Sequence, residues 1–370
     1  MKRILFLIHD LGQGGAEKVL VNLVNNMDTD KFDITVLALF GGGVNEQFLK
    51  PHIHYRAIFK KVFRGNIHLM KLFSPKRLHK LFIKDHYDIE VAYLEGPSAR
   101  IISGCSNNDT KLVSWIHSKQ YPSKVASIAF RSKQESEYCY NRFQNVVCVS
   151  EDVRDFFTAS LNISAPLSIL YNTNDSSKIL KSATQTPTAP IFSPKEFKII
   201  GIGKLAEIKG FDRLIRITAR LHKENYPIHT YILGIGTQQE FLEQLIQQED
   251  ATDYVDLLGY QTNPYQYLSK CNLFVCSSHS EGFSTAATES LIVGTPVCTV
   301  EVSGMKEMLG QNNEYGLVTK NDEESLYRGI RSLLETPSLM AHYTRQAKLR
   351  GKDFSTEHTV QAVENLFYSL

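Results

Sequence analysis

The sequence predicts an α/β protein made of two doubly wound, parallel-sheet domains with a cleft between them. Three observations predict it. Short, almost continuously apolar runs alternate with polar, helix-like stretches, the pattern of parallel strands covered on both faces. The rhythm breaks once, over residues 174–195 (NDSSKILKSATQTPTAPIFSPK), where Ser, Thr and Pro dominate, and then restarts. The chemically unusual segments directly follow apolar runs, and in open α/β sheets ligands bind outside the carboxyl ends of the strands. At about 100–200 residues per domain, a chain of 370 residues also suits two domains.

In chain order, RILFLI (3–8) is the first strand and HDLGQGGAE its exit loop. A helix follows, with Ala16, Leu20, Leu23, Val24 and Met27 on one face. Further strands are DITVLALF (33–40), EVAYL (90–94), LVSWI (112–116), NVVCVS (145–150) and LSILY (167–171). After the break, KIIGIG (198–203) opens the second half, and Leu214, Ile215, Thr218, Ala219 and Leu221 recur at near-helical spacing. TYILGIG (230–236) exits a strand, and EFLEQLIQQE is a helix. YVDLLG (254–259), NLFVCSS (272–278) and PVCTVE (296–301) are strands. The expected organisation is a first Rossmann-like domain over 1–173, a linker over 174–196, a second Rossmann-like domain over 197–350, and a terminal helix within 351–370 that crosses back to the first.

Composition excludes several classes. A net charge of +2 gives no global case for nucleic acid. The six cysteines include no CxxC pair and several lie in apolar runs, so they read as small core residues in a reducing compartment. The apolar run of MKRILFLIHDLG is too short for a signal peptide. No stretch approaches the roughly 20 apolar residues of a membrane span. The expected location is cytoplasmic. One local bias stands out over 58–84: Lys60, Lys61, Arg64, Lys71, Lys76, Arg77, Lys80 and Lys84 occur without an acid, interleaved with Phe59, Phe63, Leu69, Met70, Leu72, Phe73, Leu78, Leu81 and Phe82. Such a segment suits an anionic membrane surface, the plainer alternative being a solvated face over a core stripe.

Four constellations carry chemistry. GQGGAE (12–17) follows the first strand; Gly14 and Gly15 let backbone approach a ligand and a helix start offers amides to an anion, or they simply make a tight turn. The second strand ends in Phe40 followed by Gly41, Gly42 and Gly43, without the acid a nicotinamide fold requires. His117 ends a strand, where an imidazole can hydrogen-bond a hydroxyl, exchange a proton, or be purely structural. In GKLAEIKG (203–210), Lys204 and Lys209 can offset the charge of a diphosphate or remain solvated. In SEGFSTAATES (280–290), Gly282, Phe283, Ser284 and Thr285 read as a helix start with accessible amides. Glu281 and Glu289 are separated by eight residues, roughly 12 Å at helical rise, enough for two acids to take hydroxyls at opposite ends of a nucleotide sugar. The alternative is a capping acid and an exposed helical Glu. Asp28-Thr29-Asp30 has the D-x-D form of a metal site but lies away from strand ends.

These motifs together resemble the retaining glycosyltransferases of GT-B family 4, along nearly the whole length. E-G-F-x5-E with G-T-P-V downstream resembles that family's E-x7-E motif, GGAE its glycine loop, and GKLAEIKG its G-R-L-x-x-x-K-G segment. The resemblance implies the GT-B fold and a metal-independent transfer that needs no cofactor beyond a nucleotide-diphospho-sugar. It implies that Lys204 and Lys209 contact the diphosphate, that Glu281 and His117 act on the transferred sugar, and that Glu289 holds the ribose. Two departures stand out: Lys204 occupies a position usually held by Arg, and Asn172-Thr173-Asn174-Asp175 lacks the glycine of the family's N-G-x-D segment. The expected acceptor is a glycan or a lipid-linked glycan in cell-surface polysaccharide assembly. The rivals are a phosphorylase or sugar-nucleotide epimerase on the same fold, and a binding module without turnover.

Overall fold

The computed structural model describes residues 1–12, 14–118, 129–187 and 195–370. The chain divides into two compact units, Met1–Asn174 with Thr356–Leu370, and Asp175–Ser355.

The first unit holds seven strands: β1 (Lys2–Ile8), β2 (Phe32–Phe40), β3 (His54–Phe59), β4 (Ile89–Ala92), β5 (Lys111–Ile116), β6 (Asn145–Cys148) and β7 (Leu167–Ile169). They form one sheet in the order β3-β2-β1-β4-β5-β6-β7, every adjacent pair parallel. The central strands are apolar because helices cover both faces: Ile4 to Ile8 are fully buried. The second unit holds β8 (Phe197–Ile202), β9 (Ile228–Leu233), β10 (Val255–Leu257), β11 (Leu273–Cys276), β12 (Val297–Val300) and β13 (Leu317–Thr319). Their order, β10-β9-β8-β11-β12-β13, repeats that of the first unit, again all parallel. Both are Rossmann-like sheets, whose strand order reverses between β1 and β4 in one and between β8 and β11 in the other. β3 and β13 are edge strands absent from the sequence reading.

Helix Thr356–Ser369 belongs to the first unit. Its Phe367 is fully buried, with ring centroids 6.0 Å from Phe6 and 6.4 Å from Phe32. Lys2 Nζ donates to the Phe367 carbonyl at 2.7 Å, and the Asp28 amide to Glu364 Oε1 at 2.8 Å.

The Ser/Thr-rich stretch read as a linker over 174–196 is in part ordered structure. Residues Ser176–Ala183 form a helix capped by Asp175, whose side chain accepts from the Lys178 amide. Ile179 and Ala183, four apart, bury one stripe of it. The carbonyls at its end are taken by Asn263 Nδ2 (on Ser182, 3.0 Å) and Ser269 Oγ (on Ala183, 2.8 Å), so the helix is part of the second unit. Residues 188–194 of the expected linker lie outside the described residues.

All six cysteines are free and buried. Burial pushes the Cys139 thiol up to about 11 and those of Cys148 and Cys298 to about 12. No helix among the described residues is long and apolar enough to cross a membrane. Asp28 and Asp30 form a turn, the Asp30 amide donating to Asp28 Oδ1 while Lys31 pairs with Asp28 at 2.8 Å.

Candidate active site

In the second unit, the loops leaving β8 and β11 flank the reversal of strand order, and the two strongest sequence motifs occupy them. Lys209 Nζ, on the β8 loop, meets Glu281 Oε1, on the β11 loop, at 2.6 Å; their side chains are 27% and 10% exposed. Ser278 Oγ donates to the same carboxylate oxygen at 2.6 Å. The loops are also tied backbone to backbone: the His279 amide donates to the Ile208 carbonyl at 2.8 Å, and Ser277 Oγ to the Lys209 carbonyl at 3.0 Å. Gly210 makes this approach possible. It is left-handed (φ 59°), and a Cβ there would lie 2.3 Å from the Ser277 carbonyl oxygen. Behind it, buried Arg213 donates to that same carbonyl and, at 3.0 Å, to Asn321 Oδ1. Lys204 is exposed, and its ammonium makes no ion pair among the described residues.

Helix Thr285–Val293 begins where the small residues predict. Ser284 is its N-cap, accepting from the Ala287 amide at 3.3 Å. Gly282 precedes it, and Phe283, 7% exposed, anchors the loop against Phe354 at 6.1 Å. Glu289 is only 5% exposed; Tyr265 donates to its Oε1 at 2.9 Å. A buried carboxylate costs free energy unless hydrogen-bonded, so Tyr265 both stabilises Glu289 and sets its direction. Glu281 and Glu289 thus bracket one helix start with a cation and a serine at one end and a tyrosine at the other.

In the first unit, His117 follows β5. Its amide donates to Glu95 Oε2 at 3.0 Å, and Ser118 Oγ donates to Glu95 Oε1. The ring lies 4.8 Å from that of Tyr93. Burial lowers the imidazole to about 4, with the Glu95 charge and a hydrogen bond to the Tyr93 backbone opposing it. The ring is therefore neutral near pH 7. Its Nε2 is buried without a hydrogen-bond partner among the described residues, an arrangement suited to a ligand hydroxyl.

The glycine loop behaves differently. Gly14 caps helix Gly15–Asn26 without a side-chain cap, and a Cβ on Gly14 would lie 1.9 Å from Glu17 Oε2. The Glu17 carboxylate thus folds over the turn. Burial raises its pKa, with nearby Asp10 adding to the rise. An acid already faces the amides that the sequence assigns to an anion.

The basic segment is a surface. Lys60, Lys61, Arg64, Lys76, Arg77, Lys80 and Lys84 are exposed, and so are Val62 (58%), Leu69 (47%), Leu72 (72%) and Leu81 (46%). Leu78 and Met70 face the core. Arg100, 1% exposed, holds the segment in place by donating to the Met70 and Phe73 carbonyls at 3.0 and 2.8 Å while paired with Glu135 at 2.8 Å.

Sequence reasoning missed Glu95, Tyr265, Ser278 and Arg213. Glu95 and Ser278 carried a positional signal, since one lies just past a predicted strand end and the other closes the predicted strand 272–278.

Comparison with known proteins follows the same division. Residues 185–350 match the family described as Glycosyl transferases group 1, and residues 13–178 match Glycosyltransferase Family 4. The chain is 29% identical over 363 residues to the N-acetylgalactosamine-N,N'-diacetylbacillosaminyl-diphospho-undecaprenol 4-alpha-N-acetylgalactosaminyltransferase of Campylobacter jejuni, covering 96% of each chain. It is 25% identical to the lipopolysaccharide core biosynthesis glycosyltransferase LpsD of Rhizobium meliloti, over 90% of this chain and 88% of that one. Among solved structures, HepE of Anabaena in complex with UDP superposes with a TM-score of 0.79 at 21% identity, each chain fully covered. The sucrose-phosphate synthase of Thermosynechococcus elongatus does so at 0.76 and 15% identity, over 100% of this chain and 99% of that one.

The depressed His117 makes stability pH-dependent. Its folded value of about 4 lies below the roughly 6.5 of an unfolded histidine, so the unfolded chain binds more protons between those values and stability falls on acidification through that window. The loss reaches at most about 3 kcal/mol at 1.36 kcal/mol per pH unit. Urea unfolding at pH 6.5 and 4.5 should show a larger loss for the wild type than for His117→Gln; equal losses would contradict the assignment.

Proposed function

The chain belongs to the family 4, group 1 glycosyltransferases of GT-B fold, and from that premise we propose that it transfers a sugar from a nucleotide-diphospho-sugar with retention and without a metal. The observation that carries this reading is the convergence of Lys209, Glu281 and the start of helix Thr285–Val293 at the strand-order reversal of the second unit. The ammonium of Lys209, supported by that of Lys204, neutralises the leaving diphosphate, and the amides at the start of helix Thr285–Val293 take its oxygens. Glu281 accepts from hydroxyls of the transferred sugar, and Glu289, directed by Tyr265, from the ribose. His117 contributes a neutral acceptor, its orphaned Nε2, for a sugar hydroxyl. In the first unit, Gly14 and Gly15 offer backbone amides to a nucleotide-sugar, with Glu17 moving off the turn to admit it. Neutralisation of the leaving diphosphate by lysine ammonium groups, rather than by a bound cation, is what makes the transfer metal-independent in this reading.

The acceptor is a glycan or lipid-linked glycan of cell-surface polysaccharide assembly. The Campylobacter relative's name specifies a diphospho-undecaprenol-linked acceptor, and the Rhizobium relative's a lipopolysaccharide core. The exposed lysines and arginines of 58–84, together with Val62, Leu69, Leu72 and Leu81, support peripheral binding at the inner face of an anionic membrane. A thermal-shift screen of UDP-, GDP- and ADP-sugars identifies the donor, because ligand binding raises stability as RT ln(1 + [L]/Kd); UDP-sugars come first.

With the donor in hand, the two acids separate kinetically. Glu289→Ala raises donor KM by about 10- to 150-fold, the equivalent of about 1.5–3 kcal/mol for a hydrogen bond to a charged group, with a smaller loss in kcat. Glu281→Gln lowers kcat strongly and leaves nucleoside-diphosphate affinity, read by calorimetry, nearly intact. An unchanged KM for the first, or abolished nucleotide binding for the second, rejects this division. Initial rates persist in excess EDTA; a loss reversed by Mg²⁺ or Mn²⁺ rejects metal independence.

Replacing Lys76, Arg77 and Lys80 by Gln lowers binding to anionic vesicles by orders of magnitude at low salt, since each basic residue near such a surface contributes about 1 kcal/mol. Equal co-sedimentation of the wild type with neutral and anionic vesicles argues against the surface.

A further inference from the structure

Away from these motifs, three elements of the first unit bring together donors of three different kinds. His79 projects from helix Pro75–Phe82, Glu90 is the second residue of β4, and Cys105 follows helix Pro97–Ile102. His79 Nε2 lies 2.7 Å from Glu90 Oε2, and Cys105 Sγ lies 3.9 Å from Glu90 Oε1; one ligand atom from each residue falls within 4.8 Å of the other two. Glu90 and Cys105 are each 2% exposed, and the His79 side chain 14%. Nothing in the transfer chemistry uses them. Glu90 stands opposite Leu112 near the start of β5, whereas His117 lies past the other end of that strand.

We propose that His79, Glu90 and Cys105 form a structural site for one divalent transition-metal ion of the zinc class. A carboxylate in the middle of an apolar parallel sheet needs a positive partner, and a divalent ion held jointly by Glu90, His79 and Cys105 supplies more charge than the single imidazolium of His79. Imidazole, thiolate and carboxylate are the ligands zinc takes, and this mixed set disfavours magnesium and calcium. Ligand atoms in a tetrahedral zinc site sit roughly 3.3–3.8 Å apart, given metal–ligand bonds of about 2.0–2.3 Å. Reaching that spacing requires opening the His79–Glu90 contact and drawing Cys105 inward, each by about an ångström. Binding releases the Cys105 thiol proton and the imidazolium proton of His79 to solvent and leaves the fourth position to water or to the Asn107 carbonyl, which lies 3.8 Å from Cys105 Sγ. The ion fastens the helix bearing Lys76, Arg77 and Lys80 to the sheet. The proposal does not depend on the transferase reading.

The test uses the full, tag-free chain stripped of metal with EDTA and desalted. Co(II) titration should give a 1:1 complex with a thiolate-to-metal band in the near ultraviolet, displaced by Zn(II). Cys105→Ser should lose that band and bind at least about 10- to 100-fold more weakly, the range that even outer-shell changes produce. Zinc should raise the Tm of the wild type but not of Cys105→Ser, with metal-free melting alike in both. Should Cys105→Ser fail to fold, His79→Gln is read by the same band and should lose 1:1 stoichiometry. No thiolate band, a band that persists in the variant that folds, or an equal zinc shift in wild type and variant overturns the site and leaves a plain imidazolium–carboxylate pair.

Discussion

Right-handed crossovers laid outward from the middle of a parallel sheet must send their helices to opposite faces on either side of the starting strand. The two strands that meet there cannot be bridged at their carboxyl ends, and the loops leaving them diverge around a gap. Both sheets obey this constraint, between β1 and β4 and between β8 and β11. Everything chemical in the second unit depends on it. The β8 loop supplies the ammonium, the β11 loop the carboxylate, and the gap is the space in which Lys209 and Glu281 meet. Arg213 and left-handed Gly210 exist to let those loops touch. In the first unit Glu95, just past β4, reaches the loop that leaves the neighbouring β5 and carries His117.

The charges at this gap are already balanced. Lys209 and Glu281 satisfy each other, with Ser278 completing the carboxylate. Such a pair is worth little when exposed, but here both groups are mostly withdrawn from water, so separating them without replacement leaves a poorly solvated charge. In the function proposed above, a diphosphate supplies that replacement for the lysine, and a sugar hydroxyl for the glutamate. A ligand carrying only one of the two groups satisfies half of the pair. In that proposal, the arrangement favours the intact donor over either of its fragments.

Much of this was legible in the sequence, for definable reasons. Central parallel strands are buried on both faces, so β1, β2, β5, β8 and β11 appear as apolar runs within a residue or two of their ends. Edge strands lose that signature. In β3 (HYRAIF) no residue is fully buried, and β13 has only three residues, all partly exposed. The helix inside the Ser/Thr-rich stretch was hidden because its buried stripe is only Ile179 and Ala183. Of the site, the residues bearing the chemistry were legible because each follows a strand. Those that aim them were not. Tyr265 meets Glu289 across 24 residues, and Arg213 meets Ser277 across 64, distances over which no local pattern extends.

The return of helix Thr356–Ser369 to the first unit has a consequence for the order of assembly during synthesis. Domains generally fold as units, amino-terminal first, as the chain emerges from the ribosome. Here the first sheet is translated early, yet the surface around Phe6 and Phe32 stays uncovered until Phe367 is made. The second unit, contiguous from Asp175 to Ser355, emerges complete before then. The nascent protein thus finishes its second unit first, while the earlier-made unit waits with an apolar seam open to chaperones.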